Sequence, residues 1–260
     1  MFHLVGITLV IFLVQTSLSM LGGQYEFYFD DVALLIVVGG TFTVAMISYP
    51  ARECWEALRS LPNVARSAQE NLVSDAQKII QAATVSRLGQ GYLKSIANDK
   101  ETHEILRDGV DMIISGMTQD EIRDVMTERI YRERQRDEKK VMIFRNLSKY
   151  PPAFGLTGTV LGLINMMRGM SANASSSEVG MKMALALIAT LYGLLLANFF
   201  LIPIAEQFSV KADLEKMRKE LLLEGLLMIY ERRSPMAVQE MMNSYLESDE
   251  KIDLLGLKGA

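Results

Sequence analysis

Cysteine is almost absent: the 260-residue chain has one, Cys54, which excludes an internal disulfide framework and reads as a small hydrophobe rather than a nucleophile. Histidine is nearly as scarce, and His3 and His103 stand far apart, so no metal centre or histidine-based catalytic set is visible. There is no glycine-rich nucleotide loop, no zinc-type cysteine spacing and no Ser/His/Asp arrangement. An enzyme is therefore the weakest functional class, and no cofactor or fixed metal is expected. A net charge of −4 argues against a general nucleic-acid binder. Carboxylates are missing from the middle of every long apolar run. A self-sufficient ion pump would carry one there, so any ion crossing such a chain must find its carboxylate on a partner.

What is present is apolar residue in blocks. Half the residues are hydrophobic and the mean hydropathy is +0.17, too apolar for an ordinary soluble domain. Residues 1–21 are uncharged and long enough to cross a bilayer. A signal peptide fits poorly, because a basic start and a small-x-small cleavage site are both missing. A loop, 22–31, follows with Glu26, Asp30 and Asp31, then a second span, 32–48, whose Gly39-Gly40 pair suits close packing. Residues 49–150 are charged and helical. Helical runs broken near Gly89 and Gly91 are expected between Ala68 and Ile96, and a further helix from Glu101 to Ser115. Thr118 and Glu121 have capping-box spacing, so a long helix starts there. No helix breaker precedes Pro151, and this helix is expected to run directly into the third span, 151–170.

The third span is the most informative stretch. It carries Pro151 and Pro152, no charge before Arg168, and Gly155, Thr159 and Gly162 at i, i+4 and i+7, with Gly158 close to the same face. Small residues let helix backbones approach, which is the packing reading. Hydroxyls on the same stripe allow a second reading, an ion path. After a polar turn at 171–180, the fourth span, 181–208, repeats the pattern with Ala186, Thr190, Gly193 and Ala197, and Pro203 interrupts it near its exit. The tail, 209–260, is amphipathic, and Ser234-Pro235 caps a last short helix.

Basic residues set the topology. Of 27 lysines and arginines, 17 lie in 49–150 and 8 after residue 210, with none before Arg52. Arg52, Arg59, Arg145, Lys149 and Lys211 flank span ends on one side. The fold expected is all-α: a polytopic membrane protein of four transmembrane helices with a helical cytoplasmic domain, and both termini in the cytoplasm.

Particular segments carry a resemblance. Ile36-Val-Val-Gly-Gly-Thr41, Pro152-Ala-Phe-Gly155 with Gly158-Thr-Val-Leu-Gly162, Ala189-Thr-Leu-Tyr-Gly193 with Ala197-Asn198, and Pro203-Ile-Ala205 resemble the MotA/PomA family of flagellar motor stator subunits, within the MotA/TolQ/ExbB superfamily. Gly225-Leu-Leu-Met-Ile229 and Asn243-Ser-Tyr-Leu246 extend it into the tail. The resemblance implies a homopentamer in the bacterial inner membrane around two copies of a peptidoglycan-binding, single-span MotB/PomB-type partner, which supplies the ion-binding aspartate. It also implies torque on the rotor protein FliG. On that pattern Thr159 and Thr190 line the ion path, as transient ligands if the ion is sodium. Gly155, Gly158, Gly162 and Gly193 pack the ring, and Pro152 and Pro203 flex the helices. Arg87 is the rotor-facing candidate, beside Gly91-Tyr92-Leu93, with Ile96 near the place of the family's glutamate and Asp99 and Glu101 beyond it. Sodium-driven members carry a threonine pair in the fourth span, where this chain has Ala189-Thr190; retention of Thr159 nonetheless favours sodium over the proton. A TolQ/ExbB-type energiser, usually of three spans, and a non-conducting scaffold are the alternatives.

Overall fold

A computed structural model describes residues 2–20, 28–64, 69–85, 102–171 and 176–253. Among these the regular structure is helical, with no strand. The helices are α1 (Phe2–Met20), α2 (Asp31–Leu34), α3 (Gly40–Ser48), α4 (Ala51–Arg59), α5 (Leu61–Val64), α6 (Gln69–Val85), α7 (Glu104–Ile114), α8 (Gln119–Leu147), α9 (Tyr150–Ser171), α10 (Ser176–Leu195), α11 (Ile202–Tyr230) and α12 (Pro235–Asn243). A π-helical stretch, Leu35–Gly39, joins α2 to α3, and another, Leu196–Leu201, joins α10 to α11. The chain divides into two compact units, residues 1–66 with 139–209 and residues 67–138 with 210–260, so α8 and α11 contribute to both.

The first unit holds the apolar helices. Two of them are long and apolar enough to cross a membrane: Asp31–Ser48, and the run Val179–Tyr230 through its most apolar part. Only 17% and 28% of their apolar windows are buried, so their hydrocarbon faces out of the chain, unlike that of a soluble core helix. In α9 the glycines, threonines and prolines dilute the hydropathy, although its 22 residues are long enough to span. In the same unit Phe144 and Phe208 stack with ring centroids 5.4 Å apart, and Asn146 donates to the Tyr49 hydroxyl at 3.1 Å.

Two expectations about helix breaks need correction. The long helix from the capping box does not run into the third span: α8 stops at Leu147, Ser148 and Lys149 turn, and α9 begins at Tyr150. Pro151 and Pro152 cause this, because neither has an N–H for the carbonyls of Leu147 and Ser148. Both then sit in the first turn of α9, where a missing N–H costs nothing. Pro203, by contrast, does not end its helix. The helix continues to Tyr230, and the carbonyl of Phe199 that faces the missing N–H lies within the π-helical stretch.

The second unit is built as a soluble core. Leu72, Ala76, Ile79 and Ala83 form one face of α6, buried with Ile105, Val110, Ile122, Met126, Leu222, Leu226 and Met242 from the other helices. Gly109 and Gly225 are fixed by this packing, since a Cβ would meet Leu226 Cδ2 at 2.1 Å and Ile79 Cγ2 at 2.5 Å. The expected caps are present: Thr118 N–H donates to Glu121 Oε2 at 2.8 Å, and Ser234 Oγ accepts from Ala237 N–H at 3.2 Å. Backbone and hydroxyl donation from Thr118 holds the exposed Glu121 carboxyl below its usual range. Asp75 pairs with Arg218 at 2.5 Å with side chains only 5% and 14% exposed, a charge pair kept from water.

His103 caps α7: its Nδ1 accepts from Ile105 N–H at 3.2 Å, which requires an unprotonated Nδ1. Burial, and then Arg218, push the imidazole below its ordinary 6.5, partly opposed by Asp75 and Glu215 and reinforced by Lys219. The unfolded chain therefore binds a proton near pH 6.5 that the folded chain refuses. Stability is full above that pH and falls as pH drops from 6.5 towards the depressed folded value. Thermal unfolding of the chain in detergent should show this loss between pH 7.5 and 5, and His103→Asn, which can still cap, should remove the dependence assigned to it; an unchanged acid slope in the variant would contradict the assignment.

Candidate functional site

The stripe on α9 and the stripe on α10 face each other within one chain. A Cβ placed on Gly155 would lie 2.9 Å from the Ala189 carbonyl oxygen and 3.0 Å from Thr190 Cα. On Gly158 it would meet Ala189 Cβ at 2.5 Å, on Gly162 Ala186 Cβ at 2.8 Å, and on Gly193 the Pro151 carbonyl oxygen at 2.4 Å. Pairing 151 with 193, 155 with 190 and 162 with 186 describes two antiparallel helices in backbone contact. The four glycines expected to pack a ring are thus filled from inside the subunit. Their intrachain role is small-residue packing between spans three and four, the blander of the two readings weighed above.

The hydroxyls lie in this seam. Thr159 Oγ1 and Thr190 Oγ1 are 2.5 Å apart, Thr159 Oγ1 is 2.9 Å from the Ala186 carbonyl oxygen and 3.1 Å from that of Gly155, and Thr190 Oγ1 is 3.4 Å from the Gly155 oxygen. Two side-chain and two backbone oxygens converge, with only two hydroxyl protons among them. If Thr190 donates to Thr159 and Thr159 to Ala186, lone pairs on both hydroxyls remain open. Both threonines are half-buried, and no Asp or Glu occurs in residues 32–48, 151–170 or 181–205. The cluster is uncharged and made of oxygen only. It can solvate a hard cation or pass a proton through hydroxyl and water, but it cannot neutralise the charge.

Ala189 is fully buried, with Ala33 and Ile188, and meets Gly158 across the seam. The position where a second fourth-span threonine was looked for therefore packs against the second span and Gly158. Gly40 of the Gly39-Gly40 pair does receive a neighbour, the Phe154 ring, whose nearest carbon would lie 2.6 Å from a Cβ there. Pro152 and Pro203 lie at the first turn of α9 and just beyond the π-helical stretch. Arg87 falls outside the described residues, as do Gly91, Tyr92, Leu93, Ile96, Asp99 and Glu101, so the rotor-facing expectation has no geometry.

Sequence reasoning missed Tyr192. Its hydroxyl donates to the Tyr28 carbonyl at 2.5 Å and accepts from Asp30 N–H at 3.2 Å, joining segments 162 and more residues apart. Nothing local signals such a contact. The two π-helical stretches were also not anticipated, although Pro203 marked the neighbourhood of the second.

The sequence model of the MotA/TolQ/ExbB proton channel family matches residues 97–221, which contain the whole seam. Over those residues the chain is similar to this family. Its relatives within the family lie on the MotA/PomA side. The chemotaxis protein PomA of Vibrio alginolyticus is 26% identical over 231 residues, 89% of each chain. Motility protein A of Treponema phagedenis is 28% identical over 237 residues, covering 91% of this chain and 90% of that one. The fold is that of the C. jejuni MotAB structure, with a TM-score of 0.89 at 20% identity over 97% of this chain and 98% of that chain. As in those MotA/PomA relatives, the chain is a helical membrane protein.

Backbone contact makes a sharp prediction. Alanine normally favours a helix over glycine by about 1 kcal/mol. Gly193→Ala should nonetheless lower the unfolding temperature in detergent, because its Cβ would meet backbone at 2.4 Å. Gly180→Ala, with nothing within 4 Å, should be neutral or stabilising. Equal unfolding temperatures for the two variants would remove the seam as a packing constraint.

Proposed function

We propose that the chain is the ion-conducting stator subunit of a bacterial flagellar motor, turning ion flow across the inner membrane into torque on the rotor. The observation that carries the reading is the Thr159–Thr190 hydroxyl pair, held in a charge-free oxygen cluster at a glycine-built seam. The names of the relatives, a chemotaxis PomA and motility proteins A, support the motor rather than a TolQ/ExbB-type energiser or a scaffold.

In this reading the subunit makes and breaks no bond and needs no cofactor. A MotB/PomB-type partner supplies the carboxylate that the seam lacks, five copies of this chain surround two of the partner, and FliG receives the torque. Support for the MotB-type partner comes from the MotAB complexes that share this fold. The four-span topology has both termini in the cytoplasm, consistent with the distribution of basic residues. Pro203 and the π-helical stretch before it leave backbone hydrogen bonding loose, where a helix can change its bend as the carboxylate is loaded and released.

Sodium is assigned as the coupling ion. Sodium must replace its water with several oxygens, and two hydroxyls 2.5 Å apart, with two carbonyl oxygens each within 3.4 Å of at least one of them, provide them. A proton would need only the partner's carboxylate and a water path. Swimming speed of cells relying on this stator should rise with external sodium at fixed pH and fall with phenamil. Thr159→Ala should cripple motility in sodium medium, and Thr190→Ala should do so more severely. Speed that ignores sodium but collapses with a protonophore would make this a proton motor.

A further inference from the structure

We propose that Tyr192 is a positioning residue for the ion path, fixing the start of the second span beside the hydroxyl pair; this rests on the reading of Thr159 and Thr190 as that path. Thr190 and Tyr192 are two residues apart on α10 and so point to different sides of it. Thr190 faces α9 across the seam. Tyr192 faces the other way and closes a small apolar cluster with Ala33, Ile188 and Ala189.

From there its hydroxyl holds the extended segment that leads into α2. It donates to the Tyr28 carbonyl at 2.5 Å and accepts from Asp30 N–H at 3.2 Å. Asp30 in turn caps α2, its Oδ1 accepting from Ala33 N–H at 2.8 Å. One phenol thus satisfies two backbone groups at the point where α2 begins. The second span enters alongside Ile188–Tyr192 rather than at the start of α10, which lies about 18 Å back along the helix from Ile188 to Ser176 at 1.5 Å per residue. Consequently Asp30 and the exposed Asp31 are tied to α10 through Tyr192, two residues along from Thr190, where their negative potential is available to an approaching cation.

Removing the phenol oxygen should release that segment without emptying the cluster, because phenylalanine keeps the ring. In the full complex with its partner, Tyr192→Phe should raise the external sodium concentration for half-maximal speed about threefold to tenfold, the effect of losing one ordinary hydrogen bond. Maximal speed at saturating sodium and membrane abundance should stay at wild-type values. An unchanged half-maximal concentration, or a fall in abundance and maximal speed without a shift in it, would overturn the positioning role. Thr159→Val measured in parallel separates the two layers. If it disturbs the sodium dependence while Tyr192→Phe does not, this inference alone fails; if neither does, the path itself has been misassigned. Should the wild type ignore sodium, the same titration against external pH applies, with the same two outcomes.

Discussion

Backbone contact between α9 and α10 is the constraint on which the membrane part of the chain depends. In a lipid environment there is little hydrophobic drive to press helices together, and close van der Waals approach must replace it. Glycine at 155, 158 and 162, opposite Ala186, Ala189 and Thr190, and Gly193, opposite Pro151, allow an approach that any Cβ on those glycines would block. The same closeness brings two hydroxyls to 2.5 Å. Had the seam been built from leucines, the helices could pack, but Thr159 and Thr190 would be separated by the intervening side chains. Packing and the proposed ion path are therefore not competing readings of the stripe: the first creates the geometry the second would need.

Around this rigid contact the chain keeps places where helical hydrogen bonding is incomplete. Ser148 and Lys149 break α8 from α9 because two prolines follow, and the π-helical stretch Leu196–Leu201 precedes Pro203. Each break lies beyond an end of the glycine contact, so bending there need not open the seam. The second unit is of a different kind, with a dry apolar core, glycines filled by Leu226 and Ile79, and a buried Asp75–Arg218 pair. Replacing either partner of that pair would leave a buried charge unmatched, typically a cost of about 3–5 kcal/mol.

Local and periodic features were legible in the sequence. The four apolar runs, the Thr118–Glu121 box and the Ser234 cap depend on spacings of a few residues, and the first, second and third spans lie within a few residues of the observed helices. The facing of the two small stripes was not legible, because periodicity shows which residues share a face but not what that face meets. For the same reason the glycines expected to pack between subunits meet Ala186, Ala189, Thr190 and Pro151 of the same chain. The uninterrupted helix expected into the third span failed because a proline pair acts on the carbonyls before it as well as on its own turn. The contacts of Tyr192, although it lies in a segment that carries the resemblance, had no local signal, since its partners Tyr28 and Asp30 are distant in sequence.

The central claim is that the seam's hydroxyl oxygens, and not its shape, carry the ion. Ion flux into liposomes containing the complex with its partner, compared for Thr159→Ser and Thr159→Val, tests this most directly. Valine reproduces the branched shape of threonine without the oxygen, whereas serine keeps the oxygen and loses the methyl group. The account predicts that serine retains most of the flux and valine loses it while the complex remains assembled. Wild-type flux through the valine variant would contradict it.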